Sequence, residues 1–132
     1  MDGNAQVVLS WTAPASNGGA SISDYTIRYS TNSGVSWTTF TDGVSTATSA
    51  TVTGLTNGTS YIFQVAAVNT WGTGAFSTSS ASQSPFTTPS APTGVAGSPS
   101  SSQVTVTWTA ATANGRSVTD YLIQFSSNSG ST

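Results

Sequence analysis

The chain has 132 residues, of which 36% are hydrophobic and only 5% are charged, and its formal net charge is −2, whereas a typical soluble domain has about 25% charged residues. With two Arg, four Asp and no Lys, Glu, His or Cys, the composition excludes nucleic-acid binding through a basic face, electrostatic membrane anchoring, thiol chemistry, disulfides and zinc sites. No apolar run approaches the about 20 residues of a membrane-spanning helix, so we expect no membrane insertion.

Alternation of apolar and polar residues predicts β-strands along most of the chain, and helix signals are nearly absent. Asn-Gly and Asp-Gly pairs lie between the alternating segments and are typical of tight turns. Short strands separated by such turns indicate an antiparallel sandwich or barrel. In chain order, the residues on the predicted inward faces are Val7, Leu9 and Trp11, then Tyr25, Ile27 and Tyr29, then Tyr61, Phe63, Val65 and Ala67.

The sequence contains an internal repeat. Residues 6–13 realign with residues 103–110 at an offset of 97, and after a deletion of one residue 24–34 realigns with 120–130. The differences between the copies of the first predicted strand fall mainly on its outward face, while its inward positions stay apolar. The period corresponds to one sandwich domain.

A proline-rich segment joins the two copies. Pro85, Pro89 and Pro92 lie within eight residues, and proline at this density favours a stiff, extended chain. We therefore expect a short, semi-rigid joint between the repeats.

Several linked motifs follow one another in a characteristic order. They are Pro89-x-x-Pro92, Val-x-Leu-x-Trp11 with its copy Val-x-Val-x-Trp108, Tyr25-x-Ile27-x-Tyr29, Leu55-x-x-Gly58-x-x-Tyr61, and Asn69 followed by Gly72 and Gly74. In this order and spacing they resemble strands A, B and C, the tyrosine corner, and the F–G loop of the fibronectin type III family.

The resemblance implies an all-β fold, a fibronectin type III (immunoglobulin-like) β-sandwich. The strands then run B-C-C′-E-F-G in residues 1–88, a repeat lacking its first strand, and A-B-C in residues 89–132, the N-terminal part of a second repeat. Two explanations remain open for this pattern. Either the sequence is a window of a longer tandem protein, or other chains complete the broken edges through strand exchange.

Two of the four Trp are candidates for binding. Trp11 and Trp108 are assigned to the core, whereas Trp37, in the C′ region, and Trp71, in the F–G loop, are less easily buried. Exposed aromatic rings could stack on sugars, so Trp71 and Trp37 are the candidates for a ligand contact or a contact between repeats. Alternatively, Trp37 covers the sheet and Trp71 packs against the neighbouring repeat.

The other candidate sites have structural explanations. Asp24 and Asp42 could form a carboxylate pair for glycoside hydrolysis, but Asp24 introduces a strand and Asp42 lies in an Asp-Gly turn. Asn57-Gly-Thr59 matches the N-glycosylation sequon, and it also falls in a turn where Asn-Gly is favoured. We therefore predict no catalytic residues, no metal site and no cofactor.

The richness in Ser and Thr and the scarcity of charge indicate an extracellular location, with any secretion signal upstream of Met1. The leading hypothesis is a non-enzymatic structural or adhesive repeat of an extracellular tandem array, serving as a spacer, stalk or filament subunit. The alternative is a glycan- or cell-surface-binding module attached to a secreted polysaccharide-acting enzyme or an adhesin. The expected partners are neighbouring repeats or copies of the same chain, and under the alternative glycans or a cell surface.

Overall fold

The computed structural model describes residues 3–130, and every regular element in that part of the chain is a β-strand. The chain divides into two compact units, Met1–Thr87 and Thr88–Thr132. The strands of the first unit are β1 (Gln6–Ser10), β2 (Asp24–Ser30), β3 (Thr38–Phe40), β4 (Ser49–Thr53), β5 (Ile62–Asn69) and β6 (Gly72–Thr73), and those of the second are β7 (Thr93–Ser100) and β8 (Gln103–Thr109).

The first unit contains two antiparallel sheets. One pairs β1 with β4, and the other has the order β3-β2-β5-β6. Register places Val7 opposite Val52 in the first sheet and Ile27 opposite Val65 in the second. With the strand letters assigned from the sequence, these are B–E and C′–C–F–G pairings, and the predicted all-β sandwich fold is confirmed.

The core of the first unit follows the alternation of its strands. Val7, Ile27 and Val52 are fully buried, and their neighbours along each strand point outward. Because successive side chains of a strand point to opposite faces, one alternating stripe from each strand reaches the core. The buried cluster consists of Val7, Ile27, Val52, Leu55, Tyr61 and Phe63, and Leu9, Trp11, Tyr29, Phe40, Ala50 and Val65 pack against it.

The tyrosine corner implied by the resemblance is present. The backbone N–H of Thr56 donates to the Tyr61 hydroxyl oxygen at 3.0 Å, and Tyr61 is only 5% exposed. Gly58, in the same turn, has a φ of 79° and donates its N–H to the carbonyl of Pro85. This turn therefore connects the start of β5 to the end of the first unit.

The second unit is built on the β7–β8 hairpin. Trp108 of β8 contacts Tyr121, with ring centroids 5.2 Å apart. The third strand predicted for this unit, around Asp120 to Ile123, is not formed. Its counterpart β2 is a central strand held by β3 and β5, and no segment of the second unit among the described residues supplies such partners.

Candidate binding cleft

A cleft of about 670 Å³ lies at one end of the first unit. Its walls come from residues 11–18 of the β1–β2 loop and from residues 71–75 around β6. Tyr25, Val65 and Ala67 line it from the strands below. The strands thus provide a fixed apolar base, and the two loops determine the shape of the opening.

An aromatic pair supports the base of this cleft. The rings of Trp11 and Tyr25 meet edge to face with centroids 5.3 Å apart, a favourable geometry for aromatic rings. The indole N–H of Trp11 is buried and has no acceptor among the described residues. The pair thus packs at the base of the cleft and leaves this N–H without a hydrogen bond in the part of the chain that the structure describes.

One asparagine side chain ties the two loops together. The amide nitrogen of Asn69 donates to the backbone carbonyl of Asn17 at 2.7 Å, and its oxygen accepts the N–H of Trp71 at 2.8 Å. A single carboxamide can do both because it carries donors and an acceptor. The loop that bears Trp71 is thus held against the β1–β2 loop.

Trp71 lies at the rim of the cleft, between β5 and β6. Its side chain is 83% exposed, which is unusual for a residue of this size. Gly72 follows with a φ of 128°, a conformation that favours glycine. The turn therefore presents the indole ring to solvent.

Trp37 belongs to a different surface, the outward face of the β3-β2-β5-β6 sheet. The guanidinium carbon of Arg28 lies 4.6 Å from the Trp37 ring centroid and 3.7 Å from that of Phe76. Arg28 also donates two hydrogen bonds to the Gln64 side-chain oxygen, at 2.9 and 2.6 Å. We call this group of Arg28, Trp37, Gln64 and Phe76 the arginine stack.

The two candidate tryptophans are not brought together. Trp71 lines the cleft, whereas Trp37 is half-buried against Arg28 and is not among the lining residues. The two rings therefore do not form one binding surface that a single ligand could stack on. Whether either residue contacts a ligand or a neighbouring repeat stays a prediction.

The remaining candidates take part in local structure. Asp24 accepts the N–H of Ser45 at 3.0 Å, while Asp42 is exposed in the segment between β3 and β4. The Asn57 side chain accepts the N–H of Ala5 and donates to the side-chain oxygen of Asn4, both at 2.8 Å. The Asn57 side chain thus ties its turn to the segment before β1.

Residues 3–130 contain no group of three or more His, Cys, Asp or Glu side chains able to hold a metal ion. In the same part of the chain, no helix has the length and apolarity that crossing a membrane requires.

The sequence predictions missed two features of these surfaces. Asn17 was treated only as a turn signal and Asn69 only as part of a loop motif, although their contact closes one side of the cleft. Phe76 was not singled out because it lies in a segment without strand alternation. The outward positions of Arg28 and Gln64 on predicted neighbouring strands were the one available signal for the arginine stack.

Comparison with known families gives one match. The sequence model of the fibronectin type III domain matches residues 2–83, well over half of the chain. No curated protein matches it.

Solved structures with the same fold include regions of twitchin, titin and CNTN1. The kinase region of C. elegans twitchin is 32% identical, with a TM-score of 0.56 over 62% of this chain and 14% of that one. Domains from titin are also 32% identical, with a TM-score of 0.58 over 63% of this chain and 28% of theirs. The FN1–FN3 domains of chicken CNTN1 are 29% identical, with a TM-score of 0.60 over 83% and 38%. The chain thus spans less than two fifths of each structure.

Proposed function

The chain belongs to the fibronectin type III family, and we propose that it is a non-enzymatic structural and adhesive repeat of an extracellular tandem array. Domains of this family are generally non-catalytic structural modules and typically occur in tandem arrays. In this role the chain holds neighbouring domains at a fixed spacing, and its partners are the adjacent repeats.

The observation that carries this proposal is that the two units repeat the same local structure. Trp11 and Tyr25 pack with centroids 5.3 Å apart in the first unit, and their counterparts Trp108 and Tyr121 are 5.2 Å apart in the second. A tandem array requires each module to build its core from its own copy of the same residues.

The loop that follows this pair is also repeated. In residues 30–34, the Ser30 hydroxyl donates to the Asn32 side chain and accepts two backbone N–H groups, at 3.2 and 2.9 Å. Residues 126–130 make the same three contacts, with the same two N–H distances. Repetition of a hydrogen-bonded turn supports the interpretation of the units as copies of one module.

The composition of the chain bears on its location. Domains of this family are common outside cells, and they also occur in titin, inside muscle cells. The low charge and the abundance of Ser and Thr favour the extracellular setting for this chain.

Surface labelling of intact source cells tests both parts. Antibodies raised against the 132-residue chain should label intact cells, and protease treatment of intact cells should remove the signal. Immunoblots of the whole cells should show a species much longer than one module. Labelling only after permeabilisation would overturn the extracellular setting, and a one-module species would overturn the array.

A second function has one specific observation in its favour. Trp71 is 83% exposed at the rim of an apolar-based cleft, and an exposed indole is suited to stacking on the C–H face of a sugar ring. Under this alternative the chain is a glycan-binding accessory module.

Two matched variants decide between the functions. Trp71→Ala should abolish binding to insoluble polysaccharides in a pull-down, whereas Trp37→Ala should leave it unchanged because Trp37 lies in the arginine stack. If the unmodified chain does not bind, or if both variants bind as it does, the glycan-binding role is wrong.

A further inference from the structure

The outer edge of β1 has backbone groups without partners. The carbonyl of Ala5 accepts the N–H of Leu55, and the N–H of Trp11 donates to the carbonyl of Thr48, so the backbone N–H and C=O groups of the odd-numbered residues of this segment point toward β4. Those of the even-numbered residues point toward the outer edge. Gln6 is closed off by mutual hydrogen bonds with Gly3, but no described residue between 3 and 130 pairs with Val8 or Ser10 on that side.

The second unit shows which kind of strand fits this edge. β8 repeats β1 at an offset of 97, so Thr105 and Thr107 are the counterparts of Val8 and Ser10. Register places Ser98 of β7 opposite Thr105 and Ala96 opposite Thr107. The edge that is open on β1 is therefore the edge that β7 covers on β8.

β7 has little besides backbone pairing to hold it on β8. All eight of its residues are exposed, including Val95 at 67%. β1, in contrast, lies over a core in which Val7 is fully buried. Transfer of β7 from β8 to β1 would allow ladder hydrogen bonds at Val8 and Ser10, the counterparts of Thr105 and Thr107, and would place Gly97 and Pro99 beside a packed face.

We propose that β7 of one copy of this chain adds to the outer edge of β1 of a second copy. The strands are antiparallel, with Ser98 opposite Val8 and Ala96 opposite Ser10. Main-chain hydrogen bonds provide the affinity, as in other cases of strand addition. Exposed strand edges are ready templates for this kind of pairing.

The reach of the chain favours a second copy over the same copy. Phe86 donates its N–H to Gly3, so the chain leaves the first unit beside the start of β1. In the proposed register Thr93 would lie opposite Thr12, about 20 Å further along β1. The residues from Phe86 to Thr93 span about 24 Å when fully extended, which leaves little chain for the reversal of direction.

The proposed contact joins two different surfaces, one from each unit. Such heterologous contacts extend from copy to copy instead of closing into a symmetric dimer. The inference goes beyond the proposed function and does not depend on it, since an array can exist without strand addition.

An engineered disulfide tests the register. The chain has no cysteine, and directly opposite residues of antiparallel strands are about 5 Å apart between Cα atoms, within the range that a disulfide spans. The full chain with Val8→Cys and Ser98→Cys, oxidised in air, should form a ladder of disulfide-linked multimers on a non-reducing gel. A mixture of the two single variants should form the heterodimer in clear excess over either homodimer.

Two further pairs provide matched controls. Ser98→Cys with Thr105→Cys should give a disulfide within one copy, because these residues face each other in the β7–β8 hairpin. Val8→Cys with Thr105→Cys joins residues that neither pairing places together and sets the background of random collisions. Multimers of the Val8–Ser98 pair no more abundant than this background would overturn the proposal, as would a Val8–Ser98 disulfide confined to monomers.

A peptide provides an independent measurement on both the unmodified chain and the cysteine variant. A synthetic peptide with the sequence of residues 92–101 should raise the melting temperature of the first unit and suppress the multimers of the cysteine variant. A peptide of the same composition in scrambled order should do neither. Equal effects of the two peptides would show that the edge of β1 does not recognise β7.

Discussion

The hydroxyl of Tyr61 connects two parts of the first unit at the level of a single residue. It accepts the Thr56 N–H at 3.0 Å while its ring packs edge to face on Tyr29, 5.6 Å away. Tyr61→Phe keeps the ring and removes the acceptor. We expect it to lower the free energy of unfolding by about 1 kcal/mol, the usual net value of such a hydrogen bond, measured by urea denaturation.

Tyr29→Phe is the matched control for this prediction. The substitution keeps the ring that packs against Tyr61 and Phe63, and the corresponding residue of the second repeat is Phe125. We expect a change within about 0.5 kcal/mol. Equal losses in the two variants would show that the Tyr61 hydroxyl is not specifically required.

The arginine stack gives a second prediction at this scale. Arg28→Lys keeps the positive charge but loses the planar group that lies 3.7 Å from the Phe76 ring and donates twice to Gln64. We expect a loss of about 1 kcal/mol in unfolding free energy, with a shift in Trp37 fluorescence. Unchanged stability and fluorescence in Arg28→Lys would contradict a structural role for the stack.

The alternation of a strand predicts most of the buried residues of the first unit. Val7, Ile27 and Phe63 take inward positions in the predicted strands, and all three are buried, whereas Ala66, which the same alternation places outward, is buried as well. Parity could not predict that Phe76 meets Arg28, because residue 76 follows β6 in a segment without regular pleat.

At the scale of elements, that segment replaces part of a strand. After β6, the residues that donate their N–H groups to carbonyls of β5 and of the residue before it are Gly74, Ser77, Ser80 and Gln83, and the acceptors are Ala67, Val65, Phe63 and Tyr61. The segment thus advances three residues for every two of β5. The hydroxyls of Ser77 and Ser80 accept the N–H groups of Val65 and Phe63, so serine side chains take the place of ladder carbonyls.

Ser80→Ala tests this replacement. It removes the acceptor that lies 3.0 Å from the Phe63 N–H, and an unpaired buried donor costs about 1–3 kcal/mol. We expect faster hydrogen exchange at the Phe63 amide and lower stability. The Ser79 hydroxyl accepts a hydrogen bond from the Gln64 side chain. Ser79→Ala should therefore leave exchange at Phe63 unchanged, and equal acceleration in the two variants would contradict the role of Ser80.

The order of the strands along the chain was predictable from the sequence, but whether each predicted strand forms was not. Alternation identifies β1, β2 and β5 because each places an apolar stripe on the core. The same pattern around Tyr121 and Ile123 predicts a strand that does not form, since a strand also needs hydrogen-bonding neighbours. The cleft was less predictable, because it depends on a contact between loops, Asn69 to Asn17.

At the scale of the whole molecule, the two units differ in how much apolar surface they bury. In the first unit Ile27 is fully buried, whereas its counterpart Ile123 is 56% exposed. Leu122 and Phe125 are 89% and 94% exposed. Local stability follows buried apolar contact, so the second unit should open far more readily than the first.

Trypsin reports this difference directly, because the chain offers it two sites, Arg28 and Arg116. Arg28 lies in the centre of a sheet, between β3 and β5, whereas Arg116 lies in an exposed turn of the second unit. An increase of about 1.4 kcal/mol in the free energy of local opening slows cleavage tenfold. We therefore expect cleavage after Arg116 to be at least about tenfold faster, with fragment 1–116 accumulating in mass spectra. Cleavage after Arg28 at the same rate would mean that the first unit opens as easily as the second and that its buried core does not control its stability.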